Sequence, residues 1–193
     1  MIPAIVVDQA EKSGVKYLWD GKALKGINPP ESMFGYIYFA HAIPPFKPDH
    51  TLMLGYGSGV VSSLMRKIWG AVKVTGIDLS PQADYALTEH KIKAMDAKDY
   101  LWDITTAKFM GDWFKPKFDY VCIDLWNESK VPDFVFETEF VVRLREVATK
   151  LISINMLTAD APKLKPYCDY GFKFDRGVNI EANSVIWMSV VEK

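Results

Sequence analysis

The sequence predicts an α/β protein with a doubly wound sheet of seven mostly parallel strands, the last two antiparallel. From Thr51 onward, short apolar segments alternate with amphipathic ones, as parallel strands alternate with the helices that cover them. A glycine-rich turn follows the first of these strands, and an acidic residue follows each of the next three. The chain has 193 residues, 49% of them hydrophobic, which is enough for one well-packed domain.

The apolar segments place seven strands in this domain. They are predicted over Thr51–Gly55, Val72–Asp78, Lys91–Met95, Phe118–Leu125, Leu151–Leu157, Phe172–Arg176 and Ser184–Val191. Helices are predicted over Ser58–Trp69, Ala97–Asp103 and Asp133–Lys150. Only residues 80–90 join the second and third strands, so the crossover helix there is expected to be a turn or two, or missing.

An N-terminal appendage, residues 1–48, is predicted to precede the main domain, residues 49–193. Its first part alternates short strand-like segments with turns and includes a hairpin that enters the turn Asp20-Gly21. A helix over Met33–Ile43 is compatible with its aromatic-rich composition, because the following Pro44 disfavours helical backbone in the residue before it.

Charge and cysteine content limit the classes of function. A net charge of -1 gives no general field that would hold a nucleic acid backbone, and the lysines are scattered. The two cysteines, Cys122 and Cys168, lack the spacing of a zinc site or a disulfide framework, which favours a reducing, cytoplasmic setting. No apolar run suggests a signal or membrane span, so neither membrane nor nucleic acid is expected as a partner.

The glycine turn is the strongest local signal. It reads Gly55-Tyr56-Gly57-Ser58-Gly59 between an apolar strand and a helical segment. Glycines allow a tight turn and close approach of a ligand to bare backbone, and the helix beyond offers unpaired N–H groups. A dinucleotide-binding fingerprint would place glycine where this chain has Val60. The turn therefore favours a mononucleoside ligand over NAD.

Acidic residues end the next three strands at the same edge of the sheet. Asp78 follows the glycine turn by about twenty residues and is suited to accept both ribose hydroxyl protons. Asp96 suits either an adenine amino group or the N-cap of the helix after it. Asp124 reaches the crevice where ligands of open α/β sheets bind, and it could take a proton from a nucleophile or simply order its own loop.

Taken together, these motifs resemble the Rossmann-like class I methyltransferase fold and, more narrowly, its spermidine synthase-like branch. Gly14–Gly21 resembles that branch's N-terminal hairpin, and Phe118–Phe140 resembles its fourth strand and following helix. The most telling part of the second stretch is Asp124-Leu125 followed by Val131-Pro132 and Glu139-Phe140. The resemblance implies S-adenosylmethionine, or its decarboxylated form, as cofactor. It assigns cofactor contacts to Gly55, Tyr56, Gly57, Ser58, Gly59, Asp78, Leu79, Asp96, Ala97 and Asp124, with Asp124 also catalytic.

The chain departs from aminopropyltransferases at three points. It has Ser58 where they carry an acid in the glycine turn, Leu24 and Lys25 where they carry glutamine, and Asn127 where they carry a second acid. Losing carboxylates removes partners for the ammonium groups of a diamine. A small-molecule methyltransferase is therefore the first hypothesis. Aminopropyl transfer and a non-catalytic nucleoside-binding or assembly protein on the same fold are the alternatives.

The acceptor side of the site is less well marked. Tyr36, Trp126 and Asn127 are the candidate substrate contacts, and Tyr38 and Phe39 belong to the same aromatic stretch as Tyr36. An aromatic stripe of this kind suits either a pocket wall or plain packing. The three histidines are too isolated to predict a metal site, so no metal is expected. The acceptor itself and the choice between monomer and homodimer stay open.

Overall fold

The computed structural model describes residues 33–57, 59–81, 90–106, 116–127, 129–180 and 182–191, with side chains from Ile37 onward. The predicted N-terminal hairpin, the short crossover and Ser58 therefore lie outside the described residues, wholly or in large part. The domain division at residue 48 stays a prediction.

One sheet of seven strands forms the centre of the protein, as predicted. Its order is β3-β2-β1-β4-β5-β7-β6, with parallel pairing from β3 through β5 and antiparallel pairing of β7 with both neighbours. The strands are β1 His50–Leu54, β2 Lys73–Asp78, β3 Lys91–Ala94, β4 Phe118–Ile123, β5 Ala148–Leu157, β6 Phe172–Ile180 and β7 Asn183–Val190.

Five described α-helices accompany the sheet. They are α1 Met33–Ala42, α2 Val60–Trp69, α3 Ala97–Thr106, α4 Thr138–Val147 and α5 Lys165–Asp169, with 3₁₀ helices over Asp133–Phe136 and Thr158–Leu164. The 3₁₀ helix over Thr158–Leu164 and α5 occupy a stretch for which the sequence predicts no helix. Predicted and observed ends otherwise differ by a few residues at most positions.

The predicted single helix over Asp133–Lys150 is wrong. Glu137 has extended backbone angles, φ -75° and ψ 141°, and separates the 3₁₀ helix from α4. Ala148 is also extended and pairs with Phe118 of β4, so β5 begins three residues earlier than predicted. Long-range strand pairing here overrides the local helical periodicity.

Apolar side chains fill both faces of the sheet. Leu52, Leu54 and Ile154 belong to the core shared with α3 and α4, whereas their neighbour Met53 and the aromatic Trp187 belong to the core shared with α1 and α2. Successive strand residues point to opposite faces, so a continuous apolar strand needs cover on both. This two-sided burial fixes the carboxyl ends of β1, β2 and β4 beside one another.

Candidate active site

A cavity of about 950 Å³ opens at the carboxyl ends of the parallel strands. It contains the described members of the predicted cofactor site except Gly59, together with the predicted acceptor contacts Trp126 and Asn127. The lining residues are Tyr38, Gly55, Tyr56, Gly57, Val60, Val61, Ile77, Asp78, Leu79, Ser80, Met95, Asp96, Ala97, Asp124, Leu125, Trp126, Asn127, Ser129, Pro132, Phe134, Asn155, Leu157 and Asn183. This is the position where open α/β sheets bind ligands.

The glycine turn has the conformation that its composition predicts. Gly55, Gly57 and Gly59 have φ values of 87°, 54° and 88°, in the left-handed region that disfavours other residues. At Gly55 the need for glycine is also steric, because a Cβ atom would lie 2.1 Å from the backbone oxygen of Asp124. The turn and the loop after β4 are thus in direct backbone contact.

Tyr56 belongs to the glycine turn, and its side chain is buried. Its side chain is only 5% exposed, and its ring occupies the space next to Gly76 where a Cβ atom would stand. Its hydroxyl lies 3.0 Å from His90 Nδ1 and accepts a hydrogen bond from Ser62 Oγ of α2. The ring of Tyr56 therefore supports the turn, while the residue as a whole lines the cavity.

Asp78 faces the glycine turn from the end of β2. Its Oδ2 accepts a hydrogen bond of 2.7 Å from Gly57 N, and its Oδ1 accepts one of 2.9 Å from Ser80 N. A carboxylate has about four lone-pair sites, so each oxygen keeps capacity for a ligand hydroxyl. The adjacent Leu79 is 74% exposed and also lines the cavity. An exposed leucine beside a carboxylate offers an apolar surface next to a polar contact.

Asp96 has the capping role that the sequence left as one of two alternatives. Its Oδ1 accepts hydrogen bonds from Lys98 N at 2.7 Å and Asp99 N at 3.3 Å, which satisfies donors in the first turn of α3. Asp96 and Ala97 also line the cavity. The cap orients one carboxylate oxygen toward the helix, and the adenine contact stays a prediction.

Asp124 directly follows β4, and one oxygen of its carboxylate accepts two hydrogen bonds. Its Oδ1 accepts hydrogen bonds from Trp126 Nε1 at 3.0 Å and from Asn155 Nδ2 at 2.8 Å. Its Oδ2 accepts none from a residue that the structure describes. One carboxylate oxygen of this cavity residue is thus available to a ligand.

Among the lining residues that sequence reasoning missed are two buried asparagines, Asn155 and Asn183. Asn155 is 2% exposed in β5, and Asn183 is 6% exposed at the start of β7. The available signal was a single carboxamide within the apolar run Ile154 to Leu157, which does not by itself indicate a site. Their proximity to Asp124 depends on the β4-β5-β7 order of the sheet.

The aromatic stretch that contains Tyr36, Tyr38 and Phe39 lies partly in the cavity wall and partly in the core. Tyr38 lines the cavity, and Phe39 is buried in the core at 1% exposure. The side chain of Tyr36 lies outside the described residues. Burial, and then the negative charge of Asp124, raises the pKa of the Tyr38 hydroxyl. Tyr38 therefore keeps its proton at neutral pH and presents a phenol to the same cavity as Asp124.

A buried polar cluster lies within the core shared with α1 and α2. His41 Nδ1 is 2.7 Å from Ser153 Oγ, and the Tyr120 hydroxyl donates to the His41 backbone oxygen at 2.7 Å. Burial raises the pKa of the nearby Cys122 thiol to about 12, so this cysteine is not a thiolate nucleophile. The cluster ties α1 to the centre of the sheet.

His41 gives this cluster a pH dependence. Burial lowers the pKa of its imidazole from the ordinary 6.5, only partly opposed by the charge of Asp124, and Nε2 has no partner among the described residues. The unfolded chain then binds a proton more readily below pH 6.5 than the folded chain does, so acid favours unfolding.

We expect the free energy of unfolding to fall between about pH 7 and pH 5, by at most ~1.4 kcal/mol per pH unit for this histidine. Urea titrations across that range measure the effect. In His41→Gln the slope should be shallower than in His50→Gln, where the pKa is also lowered but the ring is less buried. Equal slopes in the two variants would contradict the assignment.

The described residues contain no group of three or more histidine, cysteine, aspartate or glutamate side chains placed to hold a metal ion. None of the described helices is long and apolar enough to cross a bilayer.

The sheet order, the antiparallel final strand and the cavity define the fold of class I S-adenosylmethionine-dependent methyltransferases. Human methyltransferase-like protein 13 in complex with SAH superposes with a TM-score of 0.60 at 14% identity, covering 76% of this chain and 73% of that one. An N1-methyltransferase from Burkholderia thailandensis, with bound 1,6-didemethyltoxoflavin and S-adenosylhomocysteine, has a TM-score of 0.54 at 14% identity and covers 75% and 72%.

A probable spermidine synthase from Corynebacterium glutamicum is similar to the same degree. Its TM-score is 0.53 at 15% identity, and the alignment covers 72% of this chain and 55% of that one. No protein-family profile matches the sequence, and no curated protein matches it. At these identities the likeness defines the fold alone, and methyltransferases and a probable spermidine synthase share that fold.

Proposed function

We propose that this protein is an S-adenosylmethionine-dependent methyltransferase acting on a small molecule. The observation that carries the proposal is the convergence of Asp78, Asp96 and Asp124 on one cavity beside the glycine turn. Proteins that share this sheet differ in function, so the side chains of the cavity, and not the fold, support the proposal.

The donor is assigned to the end of the cavity near the glycine turn. Asp78 accepts the ribose hydroxyl protons, Leu79 and Ala97 pack against the adenine, and Asp96 accepts from its amino group. The methionyl portion lies on the turn and on the first N–H groups of α2, where no side chain caps the helix. The similar human and Burkholderia proteins contain S-adenosylhomocysteine, which suits the same placement.

The acceptor is assigned to the end of the cavity near Asp124. Tyr38, Trp126, Asn127 and Asn183 supply aromatic and amide surface there. The described residues of the cavity wall include three carboxylates and no lysine, arginine or histidine. Such a wall disfavours a phosphate backbone and favours a neutral or cationic small molecule that carries an N–H or O–H group.

The chemistry follows from this arrangement. A sulfonium donor is already activated, so the protein has to align donor and acceptor and to remove a proton where the acceptor needs it. Asp124 Oδ2 is the atom placed to accept that proton. We assign the protein to the spermidine synthase-like branch on the sequence motifs, and we favour methyl over aminopropyl transfer because Asn127 replaces an acid.

Ligand binding tests the proposal directly. We expect S-adenosylmethionine and S-adenosylhomocysteine to raise the melting temperature of the purified protein, because a ligand that binds only the folded state stabilises it. NAD should have no effect. A larger shift with decarboxylated S-adenosylmethionine would favour aminopropyl transfer, and no shift with any of these nucleosides would overturn the proposal.

A variant at Asp78 makes the test specific to the site. Asp78→Ala should weaken S-adenosylhomocysteine binding by about tenfold or more, since hydrogen bonds to a charged group contribute about 1.5–3 kcal/mol. Isothermal titration calorimetry gives the affinity. The matched control is Asp175→Ala, because Asp175 lies on β6 at the opposite edge of the sheet from β2 and β3. Equal affinity in the two variants would remove Asp78 from the ribose site.

A further inference from the structure

Two buried asparagines stand next to the candidate catalytic carboxylate. Asn155 lies in β5 between Ile154 and Met156, both fully buried, and Asn183 begins β7. Burying a carboxamide costs free energy unless its polar atoms are hydrogen-bonded. One buried carboxamide within β5 and another at the first residue of β7 therefore call for a specific reason.

The two carboxamides form a chain of hydrogen bonds that ends on Asp124. Asn183 Nδ2 donates to Asn155 Oδ1 at 3.2 Å, and Asn155 Nδ2 donates to Asp124 Oδ1 at 2.8 Å. A carboxamide has one accepting and one donating end. Because Asn183 supplies a donor to the oxygen of Asn155, the amide group of Asn155 is turned toward Asp124.

Asp124 is held by two donors on the same oxygen. Trp126 Nε1 and Asn155 Nδ2 both reach Oδ1, one from the loop after β4 and one from β5. Rotation of the carboxylate would break both hydrogen bonds. Oδ2, which accepts from no described residue, is therefore kept in one place within the cavity.

We propose that Asn155, oriented by Asn183, is a positioning residue that fixes the carboxylate of Asp124 with Oδ2 directed to the acceptor. This inference rests on the proposed function for the role of Asp124, but the geometry it describes belongs to the free protein. Preorganised hydrogen bonds of this kind keep a reacting group in productive geometry before the substrate binds.

The indole N–H of Trp126 gives a direct readout, because it donates to the same oxygen. In Asn155→Leu, Asp124 loses one of its two restraints and the Trp126 hydrogen bond opens more often. We expect the hydrogen exchange rate of the Trp126 indole N–H, measured by NMR, to rise by about tenfold. That factor corresponds to the loss of the hydrogen bond from Asn155 to the charged carboxylate of Asp124. Comparison with Trp126→Phe assigns the signal.

Internal and matched controls separate positioning from general loosening. The Trp69 indole N–H donates to the Ala42 backbone oxygen at 3.0 Å in a different part of the protein, and its exchange should not change. Ser184→Ala removes a buried hydroxyl next to Asn183 that bonds to Thr158 and Asn179, so it should leave the Trp126 signal unchanged.

Asn183→Ala provides a second variant if Asn155→Leu does not fold. It removes the group that orients Asn155 and should raise the Trp126 exchange rate in the same direction by a smaller factor. An unchanged Trp126 rate in a folded variant at either position, or an equal rise at Trp69, would overturn the proposal. Because the measurement uses the protein without donor or acceptor, it stands whether or not S-adenosylmethionine binds.

Discussion

Gly55→Ala is expected to destabilise the protein by about 3 kcal/mol or more and to abolish donor binding. Part of this cost, ~1–2 kcal/mol, comes from placing a Cβ atom on left-handed backbone. The rest comes from the contact with Asp124, whose carbonyl oxygen and carbon would lie 2.1 Å and 2.7 Å from that atom. Relief requires the backbone of β1 and that of the loop after β4 to separate.

Gly57→Ala is the matched control for this prediction. Gly57 has a φ of 54° in the same turn, but a Cβ atom there would meet nothing within 4 Å. Its cost should be limited to the conformational contribution of ~1–2 kcal/mol. Urea unfolding gives the two free energies, and calorimetry with S-adenosylhomocysteine gives the affinities. Equal destabilisation in the two variants would show that the contact between Gly55 and Asp124 is not what requires glycine.

Asp124→Asn is expected to lower the rate of methyl transfer by about 10²–10⁴, the usual contribution of a positioned general base. Asparagine has nearly the same shape, and its carboxamide oxygen can still accept from Trp126 and Asn155. The atom that changes is Oδ2, which becomes a nitrogen that donates hydrogen bonds and cannot take a proton. The fold and the affinity for S-adenosylhomocysteine should therefore be retained.

Transfer of a labelled methyl group from S-adenosylmethionine to a panel of amines and N–H heterocycles measures this effect. The control is Asp99→Asn, because Asp99 is exposed in the first turn of α3 and does not line the cavity. A rate in Asp124→Asn close to that of the control would exclude Asp124 as the proton acceptor. A loss of rate together with lost donor binding would assign Asp124 to cofactor binding alone.

The sheet and the part of the cavity near the glycine turn were predictable because their signals are local. An apolar strand, a glycine turn and a helix start are adjacent in sequence, and Asp78 and Asp124 each follow an apolar strand directly. The rule that carboxyl ends of parallel strands share one edge then brings these residues together. Gly55, Gly57, Asp78, Asp96 and Asp124 all line one cavity.

The part of the cavity around Asp124 was less predictable, because its residues come from parts of the chain that only folding brings together. Tyr38 reaches the cavity from α1, Asn155 from β5 and Asn183 from β7. An isolated asparagine in an apolar strand is as compatible with a strand end as with a site. Ser58 and the N-terminal hairpin lie outside the described residues, so the assignments made for them stay predictions.

The sequence by itself therefore determined the α/β class, the glycine turn and the acids at the strand ends, since hydrophobic periodicity and turn chemistry are properties of neighbouring residues. Only the tertiary structure decided which oxygen of Asp124 is free, because that depends on Asn155 across the β4-β5 pairing. The start of β5 at Ala148 was likewise decided by pairing with Phe118. Hydrogen bonds between distant strands follow from the sheet order, which local patterns do not contain.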